Sequence, residues 1–377
     1  MKIFRGISSL SGIGMALALS ACGGGGDSSS APAPVSLPPS MPAPTPAPPT
    51  TPPTPAPAPN DFQPVIDAIE SSNDPDFAVI IGDANGILFE HEKGNYRLED
   101  NVLIASASKW YTGATIMRLV DKGLMDLSDN PQDYLSFWTS DPSDQRSQIT
   151  LEQLLSFTSG FNAEPNTVSC VGDGAITILQ CVQQIYDSGL GSDPGTGFYY
   201  GPHHMHVAAA MAEQATGLSY NDIFRREVAN PLGFSQVTRF ATPSASNPRA
   251  AGGAFSNASD YALFLRALLD GSLMAEPDVF FKDYTSAVEF LSRPAGAGGD
   301  WHYAFGAWLE CDEANFVPSC ADAQIYSSPG SFGWTPWIDR RNGYFALIAR
   351  DGARASAPVA IAIEQELQPL ILQALGK

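Results

Sequence analysis

Asn101-Val102-Leu103-Ile104-Ala105-Ser106-Ala107-Ser108-Lys109 is the stretch that decides how this chain is read. Asn101 to Ala105 has the composition of an extended segment, and an apolar helical pattern runs from Ser106 to Gly123. Residues three apart on a helix share a face with Cβ atoms about 5–6 Å apart, so the amine of Lys109 can reach the hydroxyl of Ser106. A serine hydroxyl is a weak nucleophile until a neighbouring base takes its proton. Lysine is such a base only when neutral, a state favoured by burial and by the positive end of a helix. Of the lysines at 93, 109, 122 and 282, only Lys109 has a serine three residues before it. The pair points to a serine hydrolase with Ser106 as nucleophile and Lys109 as base. The plainer reading is an N-cap serine followed by a surface lysine.

The chain starts with a short basic segment, Met1 to Arg5, then a small-residue apolar run from Gly12 to Leu19, then Leu19-Ser20-Ala21-Cys22. This resembles a bacterial lipoprotein signal peptide with its lipobox, which implies lipidation at Cys22 and an anchor in the cell envelope. The apolar run is shorter than the roughly 20 residues that a spanning helix needs. Gly23 follows the cysteine where an aspartate would retain such a lipoprotein in the inner membrane, so the resemblance implies the outer membrane, with the domain in the periplasm or at the surface. Residues 23–60 turn to Gly, Ser, Ala, Thr and Pro, and 14 of the 31 prolines lie between positions 31 and 60. Such a chain builds no core; at roughly 3.1 Å per residue in polyproline geometry it makes an extended tether.

The remainder, 61–377, is long enough for one large domain or two interleaved ones. A net charge of −20 excludes nucleic acid and anionic membrane surfaces as the main partner. Export and even number pair the four remaining cysteines as local disulfides, Cys170 with Cys181 and Cys311 with Cys320, although three connectivities are formally open. Helical patterns occupy Asp61 to Ser71, Leu151 to Phe157, Met205 to Thr216, Ser219 to Val228, Ser259 to Leu269 and Pro358 to Leu375. Strand patterns lie at Phe77 to Gly82 and Ile87 to His91, joined by the hairpin signal Asp83-Ala84-Asn85-Gly86. They return only near the other end, at Tyr303 to Glu310, Thr335 to Asp339 and Tyr344 to Arg350. The expected fold is α/β (α+β): one sheet built from both chain ends with a mostly helical insert.

With these motifs in order, the chain resembles the serine β-lactamase and penicillin-binding-protein superfamily, in the class C-like branch that includes carboxylesterases of the same fold. The resemblance rests on Ser106-x-x-Lys109, on Ile149-Thr150-Leu151 through Thr158-Ser159-Gly160, on Pro194 to Tyr200 with the helix ending Glu213 to Gly217, a stretch that matches without a gap, and on Ala251-Gly252-Gly253. It implies Tyr200 as the tyrosine of the second catalytic motif, able to pass a proton to the leaving group. It implies an oxyanion hole of the Ser106 and Ser331 backbone N–H groups. The asparagine of the second motif is Pro202 here, with His203 or His204 placed to replace its contacts. The third motif falls on Ser328-Pro329-Gly330, where the glycine is kept and the cation is absent.

Ser328, Gly330, Pro202 and His204 are the expected substrate-binding positions. Aromatics at 301, 308, 332, 334 and 337 could line an acyl pocket or pack the core. No cofactor is expected, and no metal, because the histidines at 203, 204 and 206 lack a carboxylate or cysteine partner in the sequence. A substrate carboxylate is held better by a charge-assisted hydrogen bond than by a neutral one. Ser328 in place of the cation therefore favours uncharged esters over penicillins or D-Ala-D-Ala ends. A β-lactamase or D,D-peptidase, and a non-catalytic binding protein keeping the fold, are the alternatives.

If Cys22 is the lipidation site, Cys22→Ser abolishes incorporation of labelled lipid and releases the protein from the membrane fraction. Unchanged membrane retention by that variant would contradict the lipoprotein reading.

Overall fold

The computed structural model describes residues 60–161, 169–294, 296, 300–311, 320, 322 and 324–377. The lipobox and most of the tether lie outside them. Among the described residues no helix is long and apolar enough to cross a membrane.

Helix α1 (Gln63–Ser71) is followed by strands β1 (Phe77–Asp83) and β2 (Gly86–Lys93). Their hairpin closes because the Asp83 carboxylate accepts from the Asn85 and Gly86 N–H groups, at 2.7 and 3.2 Å. Strand β3 (Val102–Leu103) then leads into helix α2 (Ser108–Asp121). The insert continues through α3 (Leu151–Leu155), α4 (Ile178–Asp187), β4 (Gly197–Tyr199), α5 (His203–Thr216), α6 (Tyr220–Phe224), β5 (Arg239–Phe240), β6 (Ala254–Ser256), α7 (Ala258–Leu269), α8 (Pro277–Phe280) and β7 (Glu289–Ser292). The chain returns through β8 (His302–Tyr303), β9 (Trp308–Leu309), β10 (Ile325–Ser327), β11 (Thr335–Asp339) and β12 (Tyr344–Ala349), and the last helix is α9 (Ala357–Ala374).

The main sheet has seven strands in the order β2-β1-β12-β11-β10-β9-β8. Its centre joins the two chain ends, β1 pairing antiparallel with β12 from Ala78 opposite Ala349 to Gly82 opposite Phe345. Strand side chains alternate between faces. Phe77, Val79, Ile81, Ala346 and Ile348 accordingly pack under α1 and α9, while Ala78, Ile80, Phe345 and Leu347 face the helical insert. Two small sheets, β3-β6-β5 and the parallel pair β4-β7, tie the insert together.

The fold class agrees with the sequence reading, and the differences have local causes. The run from Tyr303 to Glu310 is two two-residue strands because Gly306 turns the chain with φ +83°. Helix α4 was not foreseen, although Thr177 and Gln180 form a reciprocal capping box at its start. Both disulfides pair as expected, with Cα atoms 5.1 Å apart for Cys170–Cys181 and 5.2 Å for Cys311–Cys320.

Glu364 lies fully buried on α9 against Glu310, with Gln368 and the Tyr344 phenol nearby. Desolvation, then the neighbouring carboxylate, holds its carboxyl well above the usual range. A group protonated in the folded state but ionised in the unfolded one contributes stability that is complete below the unfolded pKa, roughly 4.3, and is lost as pH rises toward the folded value. Glu364→Gln, which imitates the protonated form, is therefore expected to lose less Tm than wild type between pH 5 and pH 9, by at least about 2–4 °C. Parallel Tm slopes by calorimetry would contradict the buried-acid account.

Candidate active site

Strand β3 pairs with β6, Leu103 opposite Phe255, and the Ile104 N–H donates to the Ala254 carbonyl at 3.1 Å. Ala105 then takes a left-handed conformation, φ +47°, unusual for a residue with a side chain. This turn lifts Ser106 onto a single 3₁₀ turn, Ala105–Ala107, so α2 proper starts at Ser108 and not at Ser106 as the pattern had suggested. Ser106 is half-buried at the head of a buried helix. Ser108 is fully buried, its Oγ accepting from the Ala254 N–H at 3.1 Å, and serves to fix the elbow.

Lys109 Nζ lies 3.0 Å from Ser106 Oγ and donates to the Ala251 carbonyl at 2.8 Å. That carbonyl belongs to the Ala-Gly-Gly segment. Desolvation, and after it the positive charge of Arg249, lowers the Lys109 pKa to about 7. A neutral amine has one lone pair, which faces the serine once an N–H is taken by Ala251. Tyr200 completes the group: its ring lies 4.6 Å from Lys109 Nζ and its hydroxyl hydrogen-bonds with Ser106. Burial pushes the phenol well above its ordinary pKa, so it keeps its proton.

Close backbone approach is what makes this possible. A Cβ on Gly330 would sit 2.2 Å from the Ile104 carbonyl oxygen, and one on Gly306 would sit 2.3 Å from that of Lys109. The two glycines let the β8–β9 turn and the segment after β10 close onto the elbow. Ser328 is buried between them, its hydroxyl donating to the Gly306 carbonyl at 2.9 Å.

A cavity of about 230 Å³ opens at Ser106, lined also by Tyr200, Trp308, Ser331, Arg354 and Ile361. Both expected oxyanion residues, Ser106 and Ser331, lie on it. The expected substrate contacts need correction. His204 is fully buried: its Nε2–H donates to the Tyr199 carbonyl at 2.9 Å and its Nδ1 accepts from the Ser159 hydroxyl at 2.8 Å. It braces the backbone next to Tyr200 instead of facing a ligand, and burial lowers its pKa to about 3. Ser328 has its hydroxyl occupied. Pro202 caps the start of α5, and Gly330 serves the Ile104 approach; neither is among the lining residues. Of the aromatics, Trp308 stacks on Tyr200 at 5.2 Å and lines the cavity, whereas Trp334 and Trp337 are core.

Arg249 and Arg354 were missed. Each comes from a loop whose proximity to Ser106 exists only in the fold, and nothing in the local sequence marks them. Among the described residues, no group of three or more His, Cys, Asp or Glu side chains is arranged to hold a metal ion.

A family model described as Beta-lactamase matches residues 66–363. A β-lactamase-like protein from Bacteroides dorei DSM 17855 superposes with a TM-score of 0.68 at 27% identity, covering 81% of this chain and 98% of that one. EstCE1, a hydrolase with promiscuous acyltransferase activity, superposes with a TM-score of 0.65 at 18% identity, over 83% of this chain and 96% of that one. Protein flp of Staphylococcus aureus (strain N315) is 24% identical over 149 residues, 40% of this chain and only 30% of that protein's length.

The titratable groups near Lys109 are Arg249, which is charged, and His204 and the Tyr200 phenol, which are neutral. Because a positive neighbour disfavours the ammonium form, Arg249→Gln raises the Lys109 pKa. The acid limb of the pH profile for covalent labelling by a fluorophosphonate is expected near pH 7 in wild type. In the variant it moves up by about half a pH unit, roughly 0.7 kcal/mol. An unmoved or lowered limb would exclude Lys109 as the titrating base.

Proposed function

We propose that this chain, which belongs to the Beta-lactamase family, is a serine hydrolase that cleaves small carboxylic esters through an acyl-enzyme on Ser106. The observation that carries the reading is the 3.0 Å approach to Ser106 Oγ of a buried Lys109 whose pKa is lowered to about 7.

Lys109 takes the Ser106 proton as Oγ attacks the ester carbonyl, and the resulting oxyanion is received by the Ser106 and Ser331 N–H groups. The Tyr200 phenol, protonated at working pH, hands a proton to the departing alkoxide and is reprotonated from the lysine. Deacylation runs the same path with water as nucleophile. Two carriers with oppositely displaced pKa values suit this division between base and acid.

Esters are favoured over β-lactams and D-Ala-D-Ala peptides for two reasons. The second-motif position is Pro202, so no asparagine amide is available there to pair the acylamino group of those substrates, and an unpaired buried amide costs about 1–3 kcal/mol. The hydroxyl of Ser328 is held by Gly306, so that strand offers no side-chain contact either. For location, the proposal is export and lipidation at Cys22, supported by Leu19-Ser20-Ala21-Cys22 and by two disulfides of a kind that persist in oxidising compartments.

The purified domain is expected to hydrolyse a short-chain p-nitrophenyl ester with kcat/KM at least about 10²-fold above that for a chromogenic cephalosporin, roughly 2.7 kcal/mol of transition-state preference. Ser106→Ala abolishes turnover and probe labelling, while Ser108→Ala still labels. Faster cephalosporin turnover would instead support the β-lactamase alternative, and an adduct on any other residue would overturn the mechanism.

A further inference from the structure

The cavity wall opposite β10 is built by the segment between β12 and α9. It contributes Arg354, Ala355, Ala357, Pro358 and Ile361 to a lining otherwise made of Trp308, prolines, Tyr200 and serines. Among the described residues Arg354 is the one charged side chain on that lining. Among the described residues none forms an ion pair or hydrogen bond with it.

Arg249 stands behind the elbow, its Nε donating to the Val171 carbonyl at 3.2 Å, without a carboxylate partner among the described residues. Desolvation, then the charge of Arg354, lowers the Arg249 pKa, and Arg249 in turn helps to lower that of Lys109. The chain has 40 acidic against 20 basic residues. Two arginines nonetheless stand near the Ser106–Lys109 pair, Arg354 on the cavity lining and Arg249 behind it, and neither has a carboxylate partner among the described residues. Arg354 is exposed at the cavity mouth and Arg249 is partly desolvated behind it; like charges repel, and an anionic ligand relieves that repulsion while gaining a charge-assisted hydrogen bond.

We propose that the preferred substrate is a small ester carrying an anionic group, a carboxylate or a phosphate, on the moiety seated in this cavity, with Arg354 as its direct partner and Arg249 as a second source of positive field. A volume of about 230 Å³, below the roughly 300–1,000 Å³ of drug-sized pockets, limits that moiety to a few heavy atoms. This deepens the ester-hydrolase reading and rests on it.

The test compares four p-nitrophenol-releasing or phenol-releasing esters, and a fifth as reference, on one enzyme preparation. These are the neutral p-nitrophenyl butyrate, the p-nitrophenyl monoester of glutaric acid with its carboxylate on the acyl side, 4-butyryloxybenzoate with the carboxylate on the leaving side, and 4-butyryloxyphenyl phosphate. The neutral leaving-side reference is phenyl butyrate. At least one anionic ester is expected to exceed its neutral counterpart about tenfold or more in kcat/KM, with the excess falling as NaCl is raised, and the better arm identifies the side and kind of anion. Arg354→Ala brings the anionic-to-neutral ratio toward one, Arg354→Glu reverses it, and Arg354→Lys keeps part of it. An active, probe-labelled enzyme with a ratio of one or less for every pair would overturn the anion proposal and leave the acyl-enzyme intact. So would a ratio that survives Arg354→Glu. Absence of both ester turnover and Ser106 labelling would overturn the acyl-enzyme reading on which it rests.

Discussion

Desolvation of the Lys109 amine is the constraint on which the site depends. A surface lysine with an ordinary pKa near 10.4 is almost wholly protonated at neutral pH and offers no lone pair. Placing it 3.0 Å from Ser106 in a water-poor position shifts the balance to about pH 7, where a useful fraction is free base. The same burial raises the Tyr200 phenol, so one environment yields a base and an acid side by side.

Holding a lysine there requires a scaffold that will not relax. The buried helix α2 fixes Lys109, and the Ala251 carbonyl orients its nitrogen. Two glycines allow neighbouring backbone to seal the position, where any Cβ would collide with main-chain oxygen. Around Tyr200, Phe157 and Trp308 pack at 5.6 and 5.2 Å, and His204 fixes the adjacent backbone through two hydrogen bonds. The central pairing of β1 with β12 then locks the two chain ends around the insert that bears these groups.

Much of this was legible because the signals were local. The hairpin at Asp83 to Gly86, the periodicity of α2 and the order of motifs from Ser106 to Gly330 are carried by adjacent residues. What was not legible was side-chain direction. Position 204 is expected at the ligand because it lies just past Pro202, where the resemblance lacks an asparagine, yet its ring hydrogen-bonds with Ser159. Ser328 occupies a motif position but is drawn to Gly306, 22 residues away in sequence. Arg354 sits in a stretch of Gly and Ala with no pattern, and it meets Ser106 only because β12 is a central strand. Contacts between distant segments follow from packing, which single-sequence periodicity does not encode.

The most direct test of the account is the titration of Lys109 itself. With lysine labelled at Cε and Nζ, NMR of the folded domain across pH 5–11 is predicted to show one side chain titrating near pH 7, and that resonance is predicted to vanish in Lys109→Arg, while the remaining lysines titrate near 10.4. A Lys109 resonance titrating near 10.4 with the rest would mean that the amine is an ammonium at neutral pH, and it would contradict the role of Lys109 as the base.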